Sequence, residues 1–273
     1  MAGTLYIVTT PIGNRGDLTP RAIETLRAAT LIVAEDTRHS APLLAWAGIT
    51  TPVRSYHAHN EAEQSPRLVE RLLAGHDIAL ISDAGTPLVS DPGARLVEAA
   101  IAAGITVTPI PGASAILAAL VASGLDATAF TFLGFLPRAM TERQDAAAAA
   151  LAVPHTVILY EAPPRVAELL ETLASAGGAS RRAVVARELT KVHEEFRRGT
   201  VAELAAYYEE TAPRGEVVVL IEGAPDVAPD HEAAALRAGT LRAAGSSVRD
   251  TVRHLQEEYG VARNEAYRLA QDA

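Results

Sequence analysis

Short apolar runs alternate with segments of helical periodicity along the first half of the chain. The apolar runs are four to six residues long, as expected for buried strands: Leu5–Val8, Leu31–Ala34, Ile78–Ile81 and Ile105–Ile110. The segments between them predict helices over Pro20–Ala28, Glu61–Ala74 and Gly93–Ala103. Strands that alternate with helices indicate βαβ units and a mostly parallel sheet.

Start signals precede these helices. Thr19–Pro20 and Asp91–Pro92 each place a capping residue before a proline that suits the first helical turn. Asn60 is followed three residues later by Glu63, the spacing of a capping box. We therefore expect helices to begin at these positions.

A second α/β segment follows. A helix over Ala113–Ala122 ends at a glycine signal, and the next predicted helices are Arg165–Ala176 and Val201–Glu209, with a Thr200/Glu203 capping box before the latter. Apolar runs predict further strands over Thr131–Phe135, Thr156–Tyr160, Ala183–Arg187 and Glu216–Glu222. The sequence thus predicts an α/β fold with domains over 1–123 and 124–224, a proline-rich linker over 225–235, and a helix-turn-helix-like tail over 236–273.

Composition narrows the class of protein. The 273 residues include no cysteine, which excludes disulfides and thiolate metal sites. The first residues lack the basic and apolar segments of a signal peptide, and no apolar run approaches the roughly 20 residues of a membrane span. We predict a cytoplasmic protein with no membrane contact. The net charge of −9 argues against a chain covered in basic surface, although not against a local basic patch.

The loop after the first strand excludes the common nucleotide-binding turns. The sequence Thr9–Asn14 lacks the G-x-G-x-x-G pattern that approaches a pyrophosphate, and no Gly-Lys pair for a P-loop occurs in the chain. The glycine loop that follows the first strand of the common methyltransferase fold is absent too. The ligand of this α/β fold is therefore not expected to be held by a phosphate cradle.

Ligands of open α/β sheets bind at the carboxyl ends of the strands. Here those ends carry TTPIGN, AEDTR, SDAGTP, PIPGASA, LYEAPPR and ARELTK. Ser-Asp occurs twice in SDAGTPLVSDPG. We interpret Ser82–Pro87 as the ligand loop, because no helix begins there, and Ser90–Gly93 as the start of the next helix.

Taken together with His57-x-His59-Asn60-Glu61 and GEVVVLIEG, these loops resemble the bacterial 16S ribosomal RNA 2′-O-ribose methyltransferase I family (cytidine-2′-O-methyltransferases). That family belongs to the tetrapyrrole-methylase class of S-adenosylmethionine (AdoMet) enzymes. The resemblance extends over essentially the whole chain. It implies two α/β domains with AdoMet in the cleft between them, a homodimer, and, as substrate, a cytidine in the decoding region of the 30S subunit.

The resemblance also implies a set of site residues. Gly85-Thr86-Pro87 matches a Gly-Asp-Pro loop that contacts the cofactor in related enzymes, with threonine in place of the carboxylate, so that Asp83 is expected to supply the charge. For Tyr160 and Ala186 the alternative is simple strand core. The implied cofactor residues are Pro11, Asp83, Gly85, Thr86, Val89, Ser114, Ala115, Tyr160, Ala186, Glu216 and Val217.

RNA contacts are expected on the loops around that cleft. The candidates are polar or basic residues: Asn14, Arg15, Arg38, His57, His59 and Arg165. We expect a basic patch around Arg15, Arg38, Arg54 and Arg165 to offset the acidic net charge. No metal site is predicted, since the His57/His59 pair stands in a chain without cysteine.

Three residues are candidates for the chemistry. Glu35 and Asp36 follow a buried strand, where either the two carboxylates order the acceptor hydroxyl or Asp36 or Thr37 caps the helix that follows. Lys191 is the only lysine among 24 basic residues. It is interpreted as a proton acceptor or a phosphate contact, because an ammonium group, unlike a guanidinium, loses its proton readily on burial.

Two alternatives to this function are kept. One is another methyltransferase of the class, which acts on a tetrapyrrole or a protein. The other is a non-catalytic RNA-binding assembly protein. The tail would then be the RNA-binding element, whereas in the enzyme it is an accessory to RNA binding or packs on the body.

Overall fold

A computed structural model of the protein describes residues 1–225 and 231–273. Its strands are β1 Thr4–Val8, β2 Leu31–Ala34, β3 Val53–Ser55, β4 Ile78–Ile81, β5 Thr106–Ile110, β6 Phe130–Phe135, β7 Thr156–Glu161, β8 Arg182–Arg187, β9 Glu195–Thr200 and β10 Val217–Ile221. Its helices are α1 Pro20–Ala28, α2 Thr37–Trp46, α3 Glu61–Leu73, α4 Ala94–Ala102, α5 Ala115–Ser123, α6 Met140–Ala152, α7 Val166–Leu173, α8 Val201–Glu210, α9 His231–Ala243, α10 Val248–Tyr259 and α11 Arg263–Asp272.

The first sheet is parallel throughout, as predicted. Its strand order is β3-β2-β4-β1-β5. One face packs on α1 and α2 and the other on α3 and α4, so that the central strands β2 and β4 are buried on both sides. The edge strand β3 was not predicted, because its three residues, of which Arg54 and Ser55 are exposed, provide no apolar run.

The second sheet is mixed, with strand order β6-β7-β10-β8-β9. Strands β6 and β7 are parallel, whereas β10 lies antiparallel to both β7 and β8. The predicted α/β fold is confirmed here, but the edge strand β9 was missed. Its sequence, EFRRGT, has too few apolar residues to indicate a strand.

The helix starts divide into right and wrong predictions. Thr19 caps α1 by accepting from the Ala22 amide, and Thr200 and Glu203 form the predicted capping box of α8. Asn60 precedes α3 but its side chain does not cap it. The side chain instead accepts from the His57 amide at 2.9 Å and donates to the Ser55 carbonyl at 3.2 Å, so the capping-box prediction at Asn60 was wrong.

The chain separates into two compact units, residues 1–223 and residues 224–273. Both sheets belong to the first unit, and the division predicted at 123/124 stays a prediction. The second unit packs α9, α10 and α11 around a core that includes Leu255 and Val261. Helix α9 begins at His231, inside the predicted linker 225–235, of which 226–230 lie outside the described residues. No helix among the described residues is long and apolar enough to cross a membrane.

Candidate functional site

A cavity of about 430 Å³ lies in the first unit, between loops of the two sheets. This volume lies within the range of small-molecule sites. The first sheet contributes Ile12, Ala84, Gly85, Thr86, Val89, Ser90, Asp91, Ser114, Ala115 and Ile116. The second sheet contributes Phe135, Tyr160, Glu161, Ala162, Pro163, Leu189, Gly215, Glu216, Val217 and Val218.

The SDAGTP loop is fixed to the loop after β1. Thr10 and Gly85 exchange both backbone hydrogen bonds, at 2.9 and 3.1 Å, and Gly85 has a φ of 74°. Beyond it, Leu88 and Ser90 have φ values of 74° and 67°, which are uncommon for residues with a side chain. Such strain persists where the surroundings impose it, and it clusters at functional sites.

Asp91 belongs to this cavity and does not start a helix. The helix begins at Ala94 after Gly93, whose φ of 134° and whose close approach to Leu80 suit only glycine. Burial, with a smaller contribution from the charge of Asp83, raises the pKa of Asp91. The structural interpretation of the second Ser-Asp was therefore wrong, because the loop turns Asp91 into the cavity instead of toward free helix amides.

Glu35, Asp83 and Asp91 interact electrostatically at the first-sheet side of the cavity. Partial burial and the charges of Asp91 and Asp83 raise the pKa of Glu35. Asp83 does not line the cavity; its Oδ1 accepts from the Asp36 amide at 3.0 Å. The carboxylate that the cavity presents from this side is therefore that of Asp91.

Asp36 acts as a helix cap, one of the two alternatives left open by the sequence. Its side chain accepts from the Arg38 amide at 2.9 Å and from the Arg38 guanidinium at 2.8 and 3.1 Å. These hydrogen bonds lower the pKa of Asp36 to about 2. A carboxylate with so low a pKa is a weak proton acceptor, so that of the two acids Glu35 is better suited to that task.

Lys191 lies in a network of carboxylates on the second-sheet side. Its Nζ donates to Glu188 Oε1 at 2.8 Å and to Glu216 Oε2 at 3.1 Å. Burial by itself lowers the pKa of Lys191, but these hydrogen bonds outweigh it and the pKa lies above its usual value. The structure therefore contradicts the interpretation of Lys191 as a neutral proton acceptor, because both partners stabilise the ammonium form.

The loop that carries Lys191 connects the two sheets. Glu188 and Thr190 have φ values of 52° and 66°, and the Thr190 hydroxyl accepts from the Asn14 amide at 3.1 Å. A Cβ on Gly13 would lie 2.5 Å from Lys191 Cγ, so glycine allows the lysine stem to cross the loop after β1. Together with Leu88 and Ser90, these two residues complete the set of positive-φ residues other than glycine in the described parts of the chain.

A buried ion pair in the cavity wall was missed by the sequence reasoning. Arg143 of α6 is fully buried and donates to Glu161 at 3.0 Å, and Glu161, at the end of β7, lines the cavity. Arg165 lies 3.9 Å from Glu161 and 3.8 Å from Glu168. The one available signal was a carboxylate directly after the apolar residues of β7.

The predicted RNA residues have different partners. Asn14 accepts from the Gly16 amide at 2.9 Å, and Arg15 is exposed without an ion pair among the described residues. His57 is half-buried, with a buried Nδ1 that lacks a hydrogen-bond partner, and its ring lies 5.9 Å from that of exposed His59. No group of three or more potential metal ligands occurs in the parts of the chain that the structure describes.

Comparison with known proteins shows which family the chain belongs to. The family model "Tetrapyrrole (Corrin/Porphyrin) Methylases" matches residues 4–205. The chain belongs to the tetrapyrrole methylase family.

Relatives within this family are named ribosomal RNA small subunit methyltransferase I. One from Synechocystis sp. is 47% identical over 98% of this chain and 97% of its own length. One from Escherichia coli O157:H7 is 43% identical over 98% of this chain and 94% of its own length. One from Xylella fastidiosa is 53% identical over 82% and 83% of the two chains.

Solved structures at lower identity share the fold. Uroporphyrin-III C-methyltransferase from Thermus thermophilus, solved with S-adenosyl homocysteine, has a TM-score of 0.59 at 19% identity, covering 81% of this chain and 97% of its own. Diphthine synthase has a TM-score of 0.62 at 17% identity, covering 81% and 90% of the two chains. At this identity the likeness shows the fold alone.

Most of the cofactor residues implied by the resemblance lie in the cavity of this tetrapyrrole methylase. Those that line it are Gly85, Thr86, Val89, Ser114, Ala115, Tyr160, Glu216 and Val217. Pro11, Asp83 and Ala186 are not among the lining residues, and Ala186 is fully buried opposite Val218 in the sheet, which agrees with the alternative of strand core. Asp91 and Glu161 are the lining carboxylates that the prediction omitted.

Proposed function

We propose that this protein transfers the methyl group of AdoMet to the ribose 2′-hydroxyl of a cytidine in the decoding region of 16S ribosomal RNA in the 30S subunit. Membership in a methylase family supports the reaction class. Relatives at 43–53% identity are named for small-subunit ribosomal RNA, which supports that RNA as the substrate. The cytidine and its 2′-hydroxyl rest on the resemblance of the loops, and a cytoplasmic location stays a prediction.

The charge of the cavity is the observation that carries the proposal. Among the described residues, the lining includes the carboxylates of Asp91, Glu161 and Glu216, and it includes no lysine, arginine or histidine. Glu161 pairs with Arg143 and Glu216 with Lys191 behind the lining, so the carboxylate without an ion pair in the described parts of the chain is that of Asp91. Such a cavity suits a ligand with cationic groups and no phosphate. AdoMet carries a sulfonium and an ammonium group, whereas a dinucleotide would place phosphates against carboxylates.

The remaining lining fits the other parts of AdoMet. Ile12, Val89 and Phe135 in the lining provide apolar surface for an adenine ring. When bound, AdoMet supplies an electrophilic methyl group. The residues of the chain hold it and align the acceptor hydroxyl, which removes much of the entropic cost of bringing the reactants together.

Glu35 is our candidate for the group that accepts the hydroxyl proton. It does not line the cavity but interacts with Asp91, which does, and burial together with the charges of Asp91 and Asp83 raises the pKa of Glu35. A carboxylate with a raised pKa is a stronger base than an ordinary one.

We also propose that the protein is a homodimer through the surface of α5 and β6. Helix α5 contains no charged residue, and Leu117 and Val121 on it are 50% and 76% exposed. Phe135 of β6 is 57% exposed and also lines the cavity. A helix that is apolar on all sides is normally covered. A second copy of this surface would cover it and complete one wall of the cavity.

Light scattering would test the dimer. Val121→Asp should give a monomer, whereas Ile101→Asp, at an exposed apolar position of α4, should not change the mass. A dimer that survives Val121→Asp would refute this surface as the interface.

Methyl transfer would test the function. Labelled AdoMet is incubated with the protein and with unmodified 30S subunits, naked 16S RNA or a tetrapyrrole, and the labelled RNA is mapped by the resistance of a 2′-O-methylated linkage to alkali. We expect label in 30S subunits at one cytidine. Label in the tetrapyrrole alone would indicate another activity of the family, and AdoMet binding too weak to detect by calorimetry would indicate an assembly protein.

A further inference from the structure

A second cavity lies on the first sheet, between edge strand β3 and helix α3. Its volume is about 110 Å³, and it shares no lining residue with the larger cavity. We call it the arginine groove, lined by Leu31, Val33, Arg54, Ser55, Gln64, Arg67, Leu68 and Arg71. Buried Leu31, Val33 and Leu68 form its apolar part, and the polar residues surround them.

Three guanidinium groups surround this small space in a protein with a net charge of −9. Arg67 is paired with Glu63 at 3.0 Å, on a surface where both side chains are about two-thirds exposed. The side chains of Arg54 and Arg71 make no ion pair or hydrogen bond with any described residue. The groove therefore has an excess of positive charge.

The secondary structure places these side chains together. Gln64, Arg67 and Arg71 are three and four residues apart on α3 and so share one side of the helix. Val53 packs on the opposite face of the sheet, and strand alternation then directs Arg54 toward the α3 side. Arginines at i and i+4 repel each other, so an anionic partner would relieve a cost that is built into the free protein.

We propose that the arginine groove binds phosphates of the substrate RNA backbone. The proposal rests on the proposed function, since it assigns a second contact for the same RNA. Guanidinium groups bind phosphate oxygens through paired hydrogen bonds, and the side-chain amide of Gln64 adds a further donor. Contacts of this kind position an RNA without reading its sequence.

Strand β3, which carries Arg54 and Ser55 of the groove, contacts the segment that carries Glu35. The Ser55 hydroxyl donates to the Glu35 carbonyl at 3.4 Å, and the Glu35 carboxylate interacts with Asp91, which lines that cavity. An RNA strand held at Arg54 would therefore pass Glu35, the carboxylate that we propose as acceptor of the hydroxyl proton. The groove thus positions the RNA so that its ribose meets the methyl donor.

Salt-dependent binding of 30S subunits tests the proposal with the full-length protein. The triple variant Arg54→Gln/Arg67→Gln/Arg71→Gln should bind 30S subunits at least tenfold more weakly, and the slope of log K against log salt should fall by about 0.7 to 0.9 for each phosphate that the variant no longer binds. The Kd for AdoMet and the melting temperature should stay as in the wild type. A fall of the slope in this variant supports backbone phosphate as the ligand.

A matched pair of single variants separates the groove from general charge. Arg71→Gln and Arg21→Gln each remove an exposed helical arginine without an ion pair among the described residues. Arg71 belongs to α3, which borders the groove, whereas Arg21 belongs to α1, which packs on the opposite face of the first sheet. Only Arg71→Gln should weaken 30S binding. Equal effects, or an unchanged slope in the triple variant, would overturn the proposal.

The outcome for the groove can be separated from that for the function. Methyl transfer by the wild type with unaltered binding in the triple variant would refute the groove alone. No transfer by the wild type would refute the proposed function, while the salt slopes would still decide whether the groove binds RNA. Competition by inorganic phosphate that disappears in the triple variant, without any change in 30S binding, would mark the groove as a site for small anions and overturn the assignment to RNA.

Discussion

A carboxylate lines each side of the larger cavity, Glu161 on the second-sheet side and Asp91 on the first-sheet side, and the charged surroundings of the two differ. On the second-sheet side, Glu161 is buried but neutralised by the fully buried Arg143 at 3.0 Å. On the first-sheet side, burial and the charge of Asp83 raise the pKa of Asp91, and burial and the charges of Asp91 and Asp83 raise the pKa of Glu35. Neither Glu35 nor Asp91 has an ion-pair partner among the described residues. One group stabilises the fold, and the other holds unneutralised negative charge at the cavity.

This difference indicates where a cationic ligand would gain most. A carboxylate that already has a buried partner has little attraction left for a ligand, whereas one destabilised by its neighbours gains from any cation that arrives. The first-sheet side is therefore the better candidate for contact with the sulfonium or ammonium group of AdoMet. The comparison can be tested by removing one group at a time.

The largest effect should come from breaking the buried pair. Arg143→Met leaves the Glu161 carboxylate buried without its partner, which costs about 3–5 kcal/mol of unfolding free energy. Adding Glu161→Gln should recover part of that loss, because the uncompensated charge is gone. Denaturant unfolding measures both.

Arg138→Met is the matched control for this comparison. Arg138 is exposed just before α6 and has no ion pair among the described residues, so its loss should change stability by less than about 0.5 kcal/mol. A similar small change for Arg143→Met would mean that the buried pair does not stabilise the second sheet.

Asp91→Asn should have its main effect on the ligand and not on the fold. Loss of a charged contact to AdoMet corresponds to about 1.5–3 kcal/mol, so the Kd should rise roughly 10- to 100-fold. Asp145→Asn, which removes an exposed aspartate of α6, should leave the Kd unchanged. Calorimetry measures the Kd for AdoMet in both variants, and an unaltered Kd for Asp91→Asn would mean that Asp91 does not contact the cofactor.

The sequence predicted well those elements that depend on neighbouring residues alone. The uniformly apolar Ile78–Ile81 and Val217–Ile221 strands were predicted close to their true bounds, and so was the Thr200 capping box. Strand β9 was not predicted, because its formation depends on pairing with β8 more than on its own residues.

The site was predictable in its location but not in its electrostatics. Strand ends indicated the loops that form the cavity. The partner of Glu161 is 18 residues away in sequence, and nothing local to Arg143 distinguishes it from an exposed helical arginine. Asp91 was misread for the same reason, because Asp-Pro satisfies a local rule for helix starts, whereas its true surroundings come from Ser82 and Asp83 on the preceding loop.

Lys191 allows a smaller test on the second-sheet side. Lys191→Arg should keep most of the methyl transfer activity, since a guanidinium can pair with both Glu188 and Glu216. Lys191→Ala should reduce it about three- to tenfold by leaving the two carboxylates to repel each other next to the cavity. If the arginine variant is as inactive as the alanine variant while its AdoMet affinity is normal, the amine itself takes part in the chemistry.

The smallest effect is a pH dependence of stability. Because the pKa of Asp91 is raised in the folded state, ionisation of this group opposes folding. The free energy of unfolding of the wild type should therefore fall relative to that of Asp91→Asn as the pH rises from about 3.8, the usual aspartate value, through the raised pKa of Asp91. Above the raised pKa the difference between the two proteins should be constant. Since Asp91 is only half-buried, we expect less than about 1 kcal/mol at neutral pH.

Asp126 provides a control of opposite sign for that measurement. Hydrogen bonds from Thr128 lower the pKa of Asp126, so its ionisation favours folding and this stabilisation is lost as pH falls through the lowered pKa. Asp126→Asn should therefore be less stable than the wild type at neutral pH, and the two should converge in acid. If both asparagine variants shift stability in the same direction at neutral pH, Asp91 carries no repulsive charge, and the contrast between the two sides of the cavity fails. Opposite shifts would mean that the first-sheet carboxylate is held at the cavity at a cost to the fold, as expected of a group that awaits a cationic ligand.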